Sequence, residues 1–198
     1  QLERLRISSL DGIEIDPLLF DLFASENRLM PHLHLSLQHG HDLILKRMKR
    51  RHSRAQAVDL VQHLRELRPD LAVGADLIAG FPTESEEHHQ ANLSIIRELR
   101  IVHGHIFPYS PRDNTPAARM PQVDRGTVKA RAAELRALAA STQTDWLASL
   151  VDKPLSVLAE RDGSGYAENF ARVALPQGMA AGTIATLTPR AIEGRLLV

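Results

Sequence analysis

Polar and apolar positions alternate in two rhythms along most of this chain. Short apolar runs at Leu5–Ser9, His32–Gln38, Leu71–Phe81 and Val102–Tyr109 read as strands. Between them, Pro17–Arg28, Ser53–Leu67 and Glu84–Leu99 carry the helical spacing. In Ser53–Leu67 the apolar positions are Ala57, Leu60, Val61, Leu64 and Leu67, one face of a helix with Ser53 as N-cap and Pro69 beyond its end. In Glu84–Leu99 they are Ala91, Leu93, Ile95, Ile96 and Leu99, with Thr83 expected as cap and acidic residues in the first turn. Strand–helix alternation of this kind predicts parallel βαβ units.

A proline-punctuated loop follows through Gln122, and Asp124–Val151 then reads as one long helix. Its expected buried face is Val128, Ala132, Leu135, Leu138 and Ala139. After Lys153-Pro154 the pattern becomes short strands separated by glycine turns, such as "YAENFARVAL" and "GTIATLTP". These predict a small antiparallel β module. The expected division is residues 1–150 and 151–198.

Composition narrows the chemistry. The 198 residues hold 24 Lys+Arg against 24 Asp+Glu, so any nucleic-acid contact has to be local. The β module is itself balanced, with five basic and five acidic residues. No apolar stretch has the length of a membrane span. There is no cysteine, which excludes disulfides and thiolate ligation of zinc or iron–sulfur clusters by these residues.

Ligands of parallel α/β folds gather at the carboxyl ends of the strands. Each expected strand here ends in polar or glycine residues: Ser8, Ser9 and Asp11; Gln38, His39, Gly40 and His41; Gly80, Thr83 and Glu84; Tyr109, Ser110 and Arg112. Asp76 shares a strand face with Ile78 and Gly80, and a carboxylate pointing inward needs a partner, either an arginine or a group on a ligand. His32 and His34 share one strand face, and His103 and His105 repeat that spacing. They read as polar walls of a cavity, as hydrogen-bonded core histidines, or as metal ligands of a barrel hydrolase; no complete metal-ligand set is assigned. "KRMKRRHSR" places Lys46, Arg47, Lys49, Arg50, Arg51 and Arg54 within nine positions. This is either a solvated helix end or a phosphate-contacting patch.

Four motifs occur in order: "RISSL", "PHLHLSLQHGHDLILKRMKRRHSR", "VGADLIAGFPTE" and "HIFPYSPRDNTPAARMPQV". In combination they resemble the radical S-adenosylmethionine methylthiotransferases, most closely the branch that modifies N6-threonylcarbamoyladenosine next to the tRNA anticodon. The tail resembles the TRAM module of those enzymes. The resemblance implies an α/β fold: the C-terminal part of a (β/α)6 radical SAM, TIM-like barrel followed by a small all-β, TRAM/OB-like barrel. It implies a transferase that adds a methylthio group to C2 of the adenine by radical chemistry. The parent enzyme would use S-adenosylmethionine and two 4Fe-4S clusters and would act in the cytoplasm on the tRNA anticodon stem-loop, without a membrane.

The family's cluster-binding cysteines have no counterpart here. The expectation is therefore a fragment that ligates no cluster and is inactive alone, and the catalytic residues stay unassigned. Carried onto this sequence, the resemblance makes Ser8, Ser9, Gln38, Asp76, Gly80, Glu84, Tyr109 and Arg112 cofactor-binding, with Gly80 beside the adenine. His39 and His41 depart from the small serines usual in that segment. Two alternatives stay open: a metal-dependent barrel hydrolase using His32, His34, His103 or His105, and a non-catalytic RNA-binding module. A barrel lacking its first strands would expose an edge at Leu5–Ser9, where dimerisation or an open, curved sheet is expected.

Overall fold

The computed structural model describes residues 2–7 and 9–198. Four parallel strands form one sheet in chain order: β1 (Ser9–Leu10), β2 (His32–Gln38), β3 (Ala72–Ala79) and β4 (Ile101–Pro108). Helices α1 (Pro17–Ser25), α2 (Asp42–Arg47), α3 (Arg54–Leu67) and α4 (Glu86–Glu98) connect them, and α5 (Arg125–Ala148) follows the last strand. Residue alternation decides the two faces of the sheet. Leu33, Leu35 and Leu37 of β2, with Val73, Ala75, Leu77 and Ala79 of β3, join Val61, Leu64, Ile95, Ile96, Leu135 and Ala139 in one core. The intervening positions, His32, His34 and Ser36 on β2 and Asp76 on β3, occupy the opposite face.

The helix ends show why these segments stop and start where they do. Ser53 caps α3 by accepting from Gln56 N, while the Gln56 side chain returns to the Ser53 amide. The expected cap of the next helix was one turn element too early. Ser85 caps α4, whereas Thr83 lies in the preceding turn with φ 68° and Glu84 is buried outside the helix. The first helix also ends sooner than expected, at Ser25.

β1 is shorter than the apolar run that announced it. Among the described residues only Ser9–Leu10 pair with β2, and Leu5 makes a separate bridge to Leu29. The sheet is open, with β1 at one edge and β4 at the other among the described residues.

Residues 155–197 form a second sheet from β5 (Leu155–Ala159), β6 (Ser164–Ala167), β7 (Arg172–Ala174), β8 (Ile184–Leu187), β9 (Ile192–Glu193) and β10 (Leu196–Leu197). Its order is β8-β5-β6-β7-β10-β9. The expectation of purely antiparallel strands is corrected at one place, because the terminal β10 returns parallel to β7. Val157, Ala167, Val173 and Leu197 form its core together with Leu147 and Leu150 from the end of α5. One helix therefore serves both cores: Val128, Ala132, Leu135 and Ala139 face the first sheet, and its last turn faces the second.

The two parts meet through an aromatic contact at the amino ends of the strands. The Phe170 ring lies 4.9 Å from His32, 5.4 Å from His103 and 4.7 Å from Tyr166, centroid to centroid. Arg6 stacks over the same ring at 4.3 Å and donates to the carbonyls of Ala167 and Glu168. Among the described residues no helix is long and apolar enough to cross a membrane.

Candidate functional site

Register brings the polar residues of the concave face together. Ser9 pairs with His34, His34 with Gly74, and Asp76 with His105 across four neighbouring strands. The missing side chain at Gly74 makes room for His34, since a Cβ there would lie 2.4 Å from His34 Nδ1. The imidazole can then reach across the sheet, and His34 Nε2 lies 2.9 Å from Asp76 Oδ1. His105 Nδ1 approaches the same oxygen at 3.2 Å. The inward carboxylate thus finds two histidines as partners, not the arginine weighed from sequence. Ser9 and Ser36 hydroxyls exchange a hydrogen bond of 2.9 Å beside them. Arg6, Ser9, His32, His34, Asp76, His105 and Phe170 line a cavity of about 360 Å³.

His32 and His103 lie at the floor of this face and belong to the packing. Burial, reinforced by the neighbouring positive groups, pushes His32 down to about 3 and His103 to about 4. Neither faces a carboxylate; their rings pack on Phe170, and His103 also on Trp146. The histidine set proposed for a barrel hydrolase therefore divides into two packing residues, His32 buried and His103 half-buried, and two that share Asp76.

The Glu84 side chain is spent inside the protein. It is fully buried and accepts from Gly80 N at 3.0 Å, from His39 at 3.1 Å and from Arg131 Nη1 at 3.0 Å. His39 Nδ1 accepts the amide of His41 at 3.0 Å, so its proton is on Nε2, facing the carboxylate. Burial lowers the pKa of this histidine, with His88 and His41 adding to it against the opposing pull of Glu84, and protonation of Nδ1 would cost the His41 amide its acceptor. Burial alone would push the Glu84 carboxyl up; His39, Arg131 and the Gly80 amide together hold it below the usual range. Glu84 thus ties the turn after β2, the end of β3 and α5 to one another. Its expected role as a cofactor contact is replaced by this positioning role.

Gly80 has φ 71°, and a Cβ there would meet Val128 Cγ2 of α5 at 2.5 Å. Backbone conformation and the close approach of α5 account for this glycine without a ligand. Gln38 also adopts a left-handed conformation, φ 68°, where β2 turns towards α2. Tyr109 donates its amide to Ala79 O and packs on Phe81, and its hydroxyl is buried without a partner. Arg112 is exposed in the following loop, and Ser8 lies outside the described residues.

The basic run divides in the same way. Arg54 donates to the carbonyls of Gly40 and Ala91 and pairs with Glu98. Arg50 binds Asp11 Oδ2 at 2.9 Å and Ser36 O at 3.0 Å, and Arg47 donates to Thr83 at 2.6 Å. These three hold loops at the carboxyl ends of the strands, which corrects the reading of all six as one phosphate-contacting patch. Lys46, Lys49 and Arg51 are exposed. Sequence reading missed Arg131, which interrupts the small apolar face of α5 yet is buried, because nothing local signals its partner 47 residues away.

Residues 7–94 match the Radical SAM superfamily model. That stretch, 88 of the 198 residues, is where the chain is similar to the radical SAM superfamily. It is 44% identical over 184 residues, 93% of its length, to threonylcarbamoyladenosine tRNA methylthiotransferase MtaB of Rickettsia prowazekii. It is 39% identical over 82% of its length to tRNA-2-methylthio-N(6)-dimethylallyladenosine synthase of Orientia tsutsugamushi. It spans 44% and 36% of those two relatives. Coproporphyrinogen III oxidase (HemN) from Escherichia coli, a solved radical SAM enzyme, matches 70% of the chain and is covered to 32%, with a TM-score of 0.57 and 19% identity. That likeness concerns the fold. The open parallel sheet, with its helices on one face, shares the fold of part of that solved enzyme.

Proposed function

We propose that this chain is the adenosine-facing wall and β module of a methylthiotransferase that modifies C2 of N6-threonylcarbamoyladenosine in the tRNA anticodon loop. The similarity over 93% of the chain to a relative named for that nucleoside carries the reading. The relative named for a dimethylallyladenosine product matches over 82% and supports the wider class. Divided as residues 1–150 and 151–198, the chain would present its concave face to the cofactor and its β module to the RNA, in the cytoplasm.

Two cofactors come with this reading, and only one fits the residues present. No cysteine is available for a thiolate-ligated cluster, so no step is assigned to one. The polar face does fit a nucleoside: the Ser9 hydroxyl, the imidazoles of His34 and His105 and the Asp76 carboxylate offer donors and acceptors around one cavity, and the Ser36 hydroxyl lies beside it on Ser9. The unpartnered Tyr109 hydroxyl adds another polar group at the strand end. When bound, S-adenosylmethionine supplies the deoxyadenosyl radical chemistry of the superfamily. Asp76 and the serine pair would bind its polar edges, Gln38 and the Gly80 turn would shape the rim, and Phe170 would close the floor against water. Arg112, Lys46, Lys49 and Arg51 would meet phosphate.

The test has two readouts. An anticodon stem-loop carrying N6-threonylcarbamoyladenosine should bind the purified chain more tightly than its unmodified counterpart, and S-adenosylmethionine should bind wild type more tightly than Asp76→Asn. Equal affinities in both comparisons would remove the assignment. Expressed alone in a host lacking this modification, the chain should leave tRNA nucleosides without 2-methylthio product by mass spectrometry. Pairing of two copies at the β1 edge is also expected, and a strictly monomeric chain in sedimentation would count against it.

A further inference from the structure

The geometry points to a divalent-cation site made by His34, Asp76 and His105 on the concave face of the sheet. These residues offer two imidazole nitrogens and one carboxylate oxygen, all within 4.8 Å of one another. A borderline cation such as Zn²⁺, Co²⁺ or Fe²⁺ prefers this mixture of donors, and two histidines with one carboxylate is a recurrent facial set. The inference does not rest on the proposed reaction.

The distances suit one ion. With metal–ligand bonds of about 2.1 Å, neighbouring donors are about 3.0 Å apart in an octahedron and about 3.4 Å in a tetrahedron. His34 Nε2 to Asp76 Oδ1 is 2.9 Å, and His105 Nδ1 to the same oxygen is 3.2 Å. Two edges of a coordination face are therefore already formed. The third closes by rotation of His105, whose side chain is 62% exposed and free to turn. His34 has the opposite character: at 11% exposure, over Gly74, it is held in place by the strand register. The fixed ligand and the adjustable one flank the carboxylate that supplies the negative charge.

The surroundings leave the ion's remaining positions open. The site borders the cavity of about 360 Å³ that Ser9, Ile7 and Phe170 also line. Arg6 reaches that cavity too, but its guanidinium is turned to the carbonyls of the β module and stacked on Phe170. A cation held here would expose its free coordination positions to whatever small ligand enters from the concave side. This differs from the hydrolase reading of the sequence, since His32 and His103 take no part.

The experiment uses the purified 198-residue chain, stripped with chelator and dialysed. Zn²⁺ is titrated calorimetrically and Co²⁺ by its visible absorption. The expected result is one ion per chain, with Co²⁺ bands of mixed nitrogen and oxygen ligation. Affinity should fall at least tenfold in Asp76→Asn and in His105→Ala. His105→Ala changes an exposed side chain, so it reports on binding even where Asp76→Asn lowers stability. His88→Ala, which alters the separate His41–His88 ring pair 4.3 Å apart, should leave the isotherm unchanged. No saturable binding at millimolar metal would overturn the site. So would stoichiometric binding that survives His105→Ala and Asp76→Asn, or that is lost with His88→Ala.

Discussion

Replacing Glu84 by Gln tests the reasoning about the strand ends most sharply. The carboxylate has no exposed surface and accepts from Gly80 N, His39 Nε2 and Arg131 Nη1. A glutamine keeps the volume but has one oxygen and one NH₂ group. The NH₂ group would face a donor wherever it points: the Arg131 guanidinium on one side, His39 on the other. His39 cannot reverse its tautomer without abandoning the His41 amide. Removing one partner of a buried ion pair costs about 3–5 kcal/mol. Arg131 retains 10% exposure and a second carboxylate, Glu86, at 3.4 Å, which places the expected loss near the lower end, about 3 kcal/mol. With a urea dependence of about 2–3 kcal/mol per molar, the unfolding midpoint should fall by roughly 1–1.5 M. Circular dichroism at equilibrium reads this directly. Arg131→Met alone should also destabilise, and the double variant should cost clearly less than the two singles added. A midpoint shift under 0.3 M, or strict additivity in the double variant, would refute the buried-pair account.

Three other outcomes follow from the same geometry. Gly80→Ala should cost about 2–4 kcal/mol, combining left-handed backbone with overpacking against Val128; adding Val128→Ala should return only the packing share, as read by denaturant midpoints. His32 is pushed below its unfolded value by burial first and by nearby positive groups second, so its contribution is intact above about pH 6.5. Stability should decline as pH falls from there towards about 3, by about 2 kcal/mol at pH 5, and a His32→Leu chain should show a flatter profile between pH 7.5 and 5. Changing Lys46, Lys49 and Arg51 to Ser should weaken and flatten the salt dependence of tRNA binding without moving the unfolding midpoint; Arg54→Ser should lower the midpoint, and the reverse pattern would contradict the division of the basic run.

Much of the fold was legible because its signals are local. Period-two and helical spacing located β2, β3, β4, α3 and α5 to within a few residues, since each buries a face that its own neighbours in sequence define. Thr83 misled because Ser85, two positions on, offers the same capping chemistry, and only the packed position of Glu84 chooses between them. β1 was overestimated because an apolar run does not reveal how much of it finds a partner. At the site, the strand ends and the inward face of Asp76 could be read from alternation. Its two histidine partners depended on the register of three strands, which no single segment encodes. The basic run showed charge without direction: Arg47, Arg50 and Arg54 turn inward to carbonyls, a hydroxyl and Asp11, and their neighbours stay in water.

By itself, the sequence determined the alternation of strands and helices, the polar face, the change to a β module and the absence of thiolate ligands. These follow from the identity and spacing of residues along one segment at a time. Tertiary structure alone decided that Glu84 is a buried tie, that Gly80 answers to Val128, and that Asp76 meets His34 and His105. Each of those outcomes needs groups 29 to 48 positions apart to arrive at one point, and strand register with helix packing supplies that arrival.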